Sequence, residues 1–321
     1  MSSKQEQRII EVVPYDANWP LRFVQEAEII KKALGYNCIE IHHVGSTSVP
    51  GLAAKPKIDI IAVVKNLSFS NDKLEQLGYL FRGGFNIPFR KSFTIRTALR
   101  NINLHVFEQN DPEIELNLFF RDYLRANSKE KKDYEDLKYN LIAEESAHLK
   151  IGSIYNGYTL GKHCFIQEVL KKAGFNKMRF VLCTHHIEWE AAKNFRQKYF
   201  FGPHGIDDPY TWTFNHNAHI HFVLYLCCEI IGYAHLQLWP KERAALRIIV
   251  IDKPKRNHQY GSQFLALCEK WLKNQGYQSL HVESSPDALK FYRNNGYIDM
   301  PFDDPDGYES DSRDTAVGKI L

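Results

Sequence analysis

Leu246-Arg-Ile-Ile-Val-Ile-Asp-Lys-Pro-Lys-Arg-Asn-His-Gln-Tyr-Gly-Ser-Gln-Phe-Leu265 decides the reading of the second half of this chain. An apolar run from Ala245 to Ile251 predicts a strand, which hands the chain to a basic loop containing Gly261. The loop opens directly into an amphipathic helix over 261–274. The first amides of a helix lack partners within it and carry the positive end of its dipole. Such a start suits a pyrophosphate, and Lys253, Lys255 and Arg256 add positive charge beside it.

Outward from this stretch the order of elements is mixed. A strand begins at Met178, a helix follows around 188–199, and a loop of Gly, Pro and Asp runs from Gly202 to Pro209. Two strands then meet at a turn, 219–228 and 230–238. After the loop and its helix come a strand at 279–283, a helix at 286–294 and a last segment from Tyr297 to Leu321. The helix carries Ala288-Leu-Lys-Phe-Tyr-Arg-Asn-Asn-Gly-Tyr297, closed by Gly296.

Together, the loop and the Phe-Tyr helix resemble the signatures of the GNAT superfamily of N-acetyltransferases. Ile230-Ile-Gly-Tyr233 resembles that family's hairpin strand and Thr315 to Leu321 its last strand. The resemblance implies that Arg256, Asn257, His258, Gln259, Tyr260, Gly261 and Ser262 wrap the pyrophosphate of acetyl-CoA. It further implies that Ile249, Val250 and Ile251 offer backbone groups to the pantetheine arm, and that Tyr292 is the general acid. A phenol matches a thiol in acidity closely enough to protonate a departing thiolate. Gln259 stands where the family pattern has a glycine, and its side chain is accommodated if the backbone there has a negative φ. For the base, Glu283 at a strand end is the leading candidate, with His235 and His281 on neighbouring strands. Asp303, Asp304, Asp306, Glu309, Asp311 and Asp314 crowd the last loop, which suggests a cationic amine acceptor. His216, His219 and His221 lack a ligand spacing and read as structural.

The first half opens with a helix over 20–34 stopped by Gly35, then strands at 38–44, 58–64, 104–108 and 114–119. A charge-laced helix is expected over 122–148 and another over 161–173. Within it, His43-Val-Gly-Ser-Thr-Ser-Val-Pro-Gly-Leu-Ala-Ala-Lys-Pro-Lys-Ile-Asp-Ile60 sets a hydroxyl-rich turn ahead of a strand that presents one carboxylate. Gly45, Ser46, Thr47, Ser48 and Lys55 form a phosphate cradle in this reading, and Asp59 a magnesium ligand. The run resembles the GrpB-like family of the nucleotidyltransferase fold. So do Leu104 to Glu108, Phe120 to Arg125 and Tyr158 to Ile166. Two-metal chemistry uses paired carboxylates two apart on a strand. Here the second position is Ile61, and Glu108 and Glu115 are the candidates to replace it from adjacent strands.

The fold expectation is therefore mixed α/β (α+β) in two domains. Residues 1–176 form a nucleotidyltransferase-like mixed sheet with helices, and 177–321 a GNAT-like one. The activity implied is acetyl transfer from acetyl-CoA to a small-molecule or protein amine. Metal-dependent nucleotidyl transfer, or ligand sensing without turnover, are the alternatives. Of 321 residues, 44% are hydrophobic and 25% charged, with a net charge of +3. That balance is globular and too mild for a nucleic-acid partner. Six cysteines without paired C-x-x-C spacing suggest free thiols in a reducing cytoplasm. No signal-peptide core or membrane-length apolar run is evident. A monomer and a homodimer are both compatible with the sequence.

Overall fold

The computed structural model describes residues 10–150, 155–307 and 311–321. The chain divides into two compact units, Met1–Arg179 and Phe180–Leu321.

In the first unit, Asp16 and Asn18 lead into α1 (Trp19–Leu34), whose second residue is Pro20. Proline belongs there because the first helical amides have no acceptor. Strand β1 (Cys38–Val44) follows, then β2 (Ile58–Val64), a short α2 (Asp72–Gln76), β3 (Leu80–Gly83), β4 (Arg90–Arg96) and β5 (Asn101–Glu108). The sheet order is β1-β2-β5-β4-β3, with β2 and β5 parallel and the other pairs antiparallel. Apart from Asp59, β2 is buried along its whole length, as a central strand covered on both faces should be. Trp19 and Ile30 of α1 pack on one face, against Ile58, Ile60, Phe93 and Leu104. Each such side chain contributes about 1.5–3 kcal/mol by leaving water.

Four helices complete this unit: α3 (Pro112–Ala126), α4 (Ser128–Ile142), α5 (Gly157–Leu160) and α6 (His163–Lys172). The expected strand over 114–119 is instead the first half of α3. Asp111 accepts the Glu113 amide at 2.9 Å, Pro112 takes the first helical position, and Glu113 and Glu115 face the positive end of the dipole. Capping overrides the alternating Ile114, Leu116, Leu118 pattern. The helix expected over 122–148 is likewise broken, at Asn127, into α3 and α4.

The second unit runs β6 (Met178–Leu182), α7 (His186–Arg196), β7 (His219–Leu226), β8 (Glu229–Trp239), β9 (Arg243–Ile251), α8 (Tyr260–Asn274), β10 (Ser279–Ser284), α9 (Pro286–Asn294), β11 (Ile298–Asp299) and β12 (Thr315–Ile320). Among the described residues, its strands lie in the order β11-β12-β10-β9-β8-β7-β6. Phe264 of α8 meets Phe180, which stacks on Phe222, and Trp271 covers Phe222 from the same helix. Among the described residues, no helix is long and apolar enough to cross a membrane.

Candidate active site

The centre of the second unit is the parallel pairing of β9 with β10. β9 and β10 are in register only at Arg243–Ser279, Ala244–Leu280 and Ala245–His281. Past that point β9 stays with β8 as far as Gly232–Ile251, while β10 stays with β12 as far as Ser284–Thr315. The two strands part like a V. Along β9, from Leu246 to Ile251, every second backbone group that would bond a parallel neighbour therefore faces an opening. Ile249, Val250 and Ile251 lie along this edge.

Beyond the V, Asp252 is held by Lys198 at 2.7 Å and by the Tyr199 hydroxyl. Lys255 pairs with Glu229 at 2.8 Å, and Arg256 donates to the Ile251 carbonyl at 2.9 Å, so two of the loop cations help set its shape. The loop then reaches α8 through two left-handed residues, Asn257 at φ 66° and Gln259 at φ 62°. The negative φ that would accommodate the Gln259 side chain is not adopted. The turn requires the glycine-like conformation, and glutamine adopts it at a steric cost. Its carbonyl accepts the Gln263 amide at 3.1 Å, which leaves the earlier amides of Tyr260, Gly261 and Ser262 outside the helical ladder. A Cβ at Gly261 would lie 3.3 Å from the Phe291 ring, so the loop glycine and the Phe-Tyr helix are fitted to each other.

Next to Phe291, Tyr292 is only 6% exposed, edge-on to Phe291 and Tyr297. Its hydroxyl makes no hydrogen bond among the described residues. Burial, with Cys268 nearby, pushes its pKa well above that of an ordinary phenol, so it keeps its proton.

On the other side lies a cavity of about 490 Å³. Phe200, Phe201, Tyr210 and Trp212 form aromatic walls, and Glu283 and Arg247 reach it from the parting strands. Arg247 is the extra residue of a β-bulge in β9, where the register slips between His235 and Leu236. It donates to Gln237 at 2.7 Å and pairs with Asp304. Gln237 in turn donates to Asp306 at 2.5 Å. Asp311 is bound by Arg313 at 2.6 Å. Asp304 and Asp311 of the acidic loop thus neutralise the protein's own arginines, and Asp306 accepts from an amide; Glu309 lies outside the described residues.

The histidines form an ordered polar file. Arg196, held by Asp208, can only donate, so Nδ1 of His235 accepts from it at 3.3 Å. The proton of His235 then sits on Nε2, facing His219 Nδ1 at 2.8 Å. Both nitrogens of His235 are therefore engaged. His281 is engaged too, by Ser279 at 2.9 Å and the Pro301 carbonyl at 3.0 Å. Burial, then His216 and Arg247, lowers the His219 pKa to about 4, and burial lowers that of His235 well below the usual histidine range, so neither is charged at neutral pH. Glu283 differs. Burial raises its carboxyl, opposed by Arg247 and reinforced by Asp314 and Asp304, which makes it a stronger proton acceptor than an ordinary glutamate. Arg196, Arg247 and the aromatic walls had no signature in the sequence. Only the bulge and the loop after α7 bring them together.

In the first unit, Asp59 follows Ile58 at the start of β2, opposite Asn103 of β5, and accepts from its Nδ2 at 2.6 Å. Gly45, at φ 70°, turns against it: a Cβ there would be 2.6 Å from the Asp59 carboxylate. Thr47 meets His43 at 3.0 Å, Ser48 donates to the Gly45 carbonyl at 2.6 Å, and both side chains are buried; Ser46 lies beside the Tyr134 phenol. The proposed substitutes for the missing carboxylate do not reach Asp59. Glu108 pairs with Val64 at the far end of β2 and caps the Leu67 amide at 3.1 Å. Glu115 is on helix α3, not on a strand. Among the described residues no group of three His, Cys, Asp or Glu side chains could hold a metal ion. The donor set around Asp59 does not fit the magnesium that the fold family implies.

A family model described as GrpB protein matches residues 9–172, and one described as Acetyltransferase (GNAT) family matches residues 189–297. A UPF0157 protein of Halalkalibacterium halodurans is 36% identical over 169 residues, spanning 51% of this chain and 82% of that protein. The crystal structure of the conserved protein GrpB from Enterococcus faecalis is similar at 31% identity, over 51% of this chain and 96% of that one, with a TM-score of 0.45. An acetyltransferase of the GNAT family from Staphylococcus aureus is similar at 20% identity, over 45% of this chain and 99% of that one, with a TM-score of 0.38.

Proposed function

We propose, for a chain that belongs to the GrpB protein family and carries an acetyltransferase domain of the GNAT family, that residues 177–321 transfer acetyl from acetyl-CoA to a small-molecule amine. The reaction is direct attack with both substrates bound. The observation that carries this reading is the V between β9 and β10, which opens the β9 edge beside a cavity lined by Glu283.

The residues present fit the cofactor. The amides of Tyr260, Gly261 and Ser262 suit a pyrophosphate, with Arg256, Asn257, His258 and Gln259 shaping the loop around it. The edge from Ile249 to Ile251 suits the amides of a pantetheine arm. When bound, acetyl-CoA supplies the acetyl group as a thioester. Glu283 takes the proton of the incoming ammonium, leaving a neutral amine able to attack. Tyr292 keeps its phenolic proton and offers it to the leaving sulfur.

Specificity for the amine comes from the aromatic walls and Glu283. Asp304 and Asp306 are engaged by Arg247 and Gln237, which argues for an acceptor with one ammonium on an apolar body rather than a polyamine. The test is thiol release from acetyl-CoA by the full-length protein against aryl-alkylamines, polyamines and lysine peptides. Turnover highest with the aryl-alkylamines supports the reading. Turnover confined to peptides or polyamines would refute the small apolar acceptor.

Residues 1–176 are assigned, in the same proposal, to binding a phosphate-bearing ligand beside Gly45, Ser46, Lys55 and Asp59. The lysines around Asp59 favour this over nucleotidyl transfer, for which the single carboxylate is a poor fit.

A further inference from the structure

Where a two-metal site would place a second carboxylate and two divalent ions, the first unit places lysines. Position 61 is a fully buried isoleucine, and the β5 residue facing Asp59 is Asn103, not an acid. Lys55 and Lys162 both lie over the ring of Tyr158, their Nζ atoms 4.0 and 4.4 Å from its centroid. Neither makes an ion pair among the described residues. Lys57 adds its charge to both, and Asp59 feels Lys57, Lys162 and Arg96. Both lysines and Asp59 are half-buried, so solvent and a ligand can reach them.

An arrangement of like charges facing one carboxylate is costly where no counter-ion balances it. Burial and mutual repulsion lower the Lys55 pKa to about 7, and burial lowers that of Lys162 to about 8. A polyanion between them relieves the repulsion. Their common contact with the Tyr158 ring bounds the separation of the two ammonium groups to the length a pyrophosphate can bridge, and the ring attracts each by cation–π interaction.

We propose that this cleft binds the pyrophosphate group of a phosphorylated ligand directly on Lys55 and Lys162, with no divalent cation between ligand and protein. The inference deepens the phosphate-binding reading of residues 1–176 and depends on it. Binding restores full charge to the two lysines, so the complex takes up protons between about pH 7 and 8.

The experiment is calorimetric titration of inorganic pyrophosphate, and separately of ATP, into the full-length protein with excess chelator, then with magnesium. It is run near pH 7.5 in two buffers of different ionisation heat. Expected are binding in chelator, proton uptake, no tightening with magnesium, and at least tenfold weaker binding for Lys55→Met and for Lys162→Met. Methionine keeps an apolar stem over Tyr158, and an unchanged melting profile certifies the fold. ATP binding more tightly than pyrophosphate marks a nucleotide as the source of the group; equal affinity marks pyrophosphate itself. Binding that appears only with magnesium overturns the inference and leaves the phosphate reading standing. No binding of either probe under either condition overturns both.

Discussion

Arg196 grips both carboxylate oxygens of Asp208, Nε to Oδ2 at 2.5 Å and Nη2 to Oδ1 at 2.8 Å, with the arginine only 1% exposed. The pair anchors the loop after α7 to the histidine file on β7 and β8. Asp208→Asn leaves a buried guanidinium unopposed and should destabilise the protein by about 3–5 kcal/mol, read by denaturant melting. Adding Arg196→Met to that variant should recover part of the loss, because the uncompensated charge is gone. A double variant no better than the single one would show that the pair is not the source of the effect.

Glu283 predicts a conflict between activity and stability. Its carboxyl is raised in the folded protein, chiefly by burial, so the fold favours the protonated form. The stability cost is absent below the unfolded glutamate pKa and appears as pH rises through the folded value. Glu283→Gln should therefore melt higher than the parent near pH 7 and no higher near pH 3.5. In the proposed reaction Glu283 acts as the ionised form, so acetyl transfer should fall as pH drops through the raised pKa. Burial holds the His219 pKa to about 4 and that of His235 well below the usual histidine range, so neither charges near neutral pH. The variant should lose that acid limb with most of its rate. An unchanged pH profile in Glu283→Gln would remove Glu283 from proton transfer.

Gln259 should be improvable. Left-handed backbone costs a residue with a Cβ about 1–2 kcal/mol, while glycine returns about 0.4–1 kcal/mol of that through the freedom of the unfolded chain. Gln259→Gly should raise the melting temperature by about 1–3 °C. Acetyl-CoA affinity should move by less than about threefold, since the backbone already has the glycine-like shape. A tenfold gain in affinity would mean instead that the glutamine side chain obstructs the loop.

What the sequence made legible follows physical lines. β2 could be read because a buried central strand is apolar throughout, and α8 because a glycine loop meets a periodic helix. α3 was misread although Asp111 and Pro112 announced it; the period-two pattern from Ile114 to Leu118 imitates a strand, and only the cap distinguishes the two. Strand β4 was missed because its buried Ser92, Phe93 and Ile95 sit among Arg90, Lys91 and Arg96, and β3 because none of its four residues is buried. The motif residues Gly261 and Phe291 were legible as types, but the contact between them was not. The cavity was invisible for a different reason. Arg196, Arg247, His219 and Glu283 come from four separate elements, and a β-bulge aims one of them.

The central claim is that the second domain moves acetyl from acetyl-CoA with Tyr292 as the acid. Its most direct test pairs acetyl-CoA binding with thiol release for the full-length protein and for Tyr292→Phe. Binding in the micromolar-to-millimolar range is expected for both proteins, with turnover about 100-fold or more lower in the variant. Failure of the full-length protein to bind acetyl-CoA, or a Tyr292→Phe variant as fast as its parent, would contradict the account.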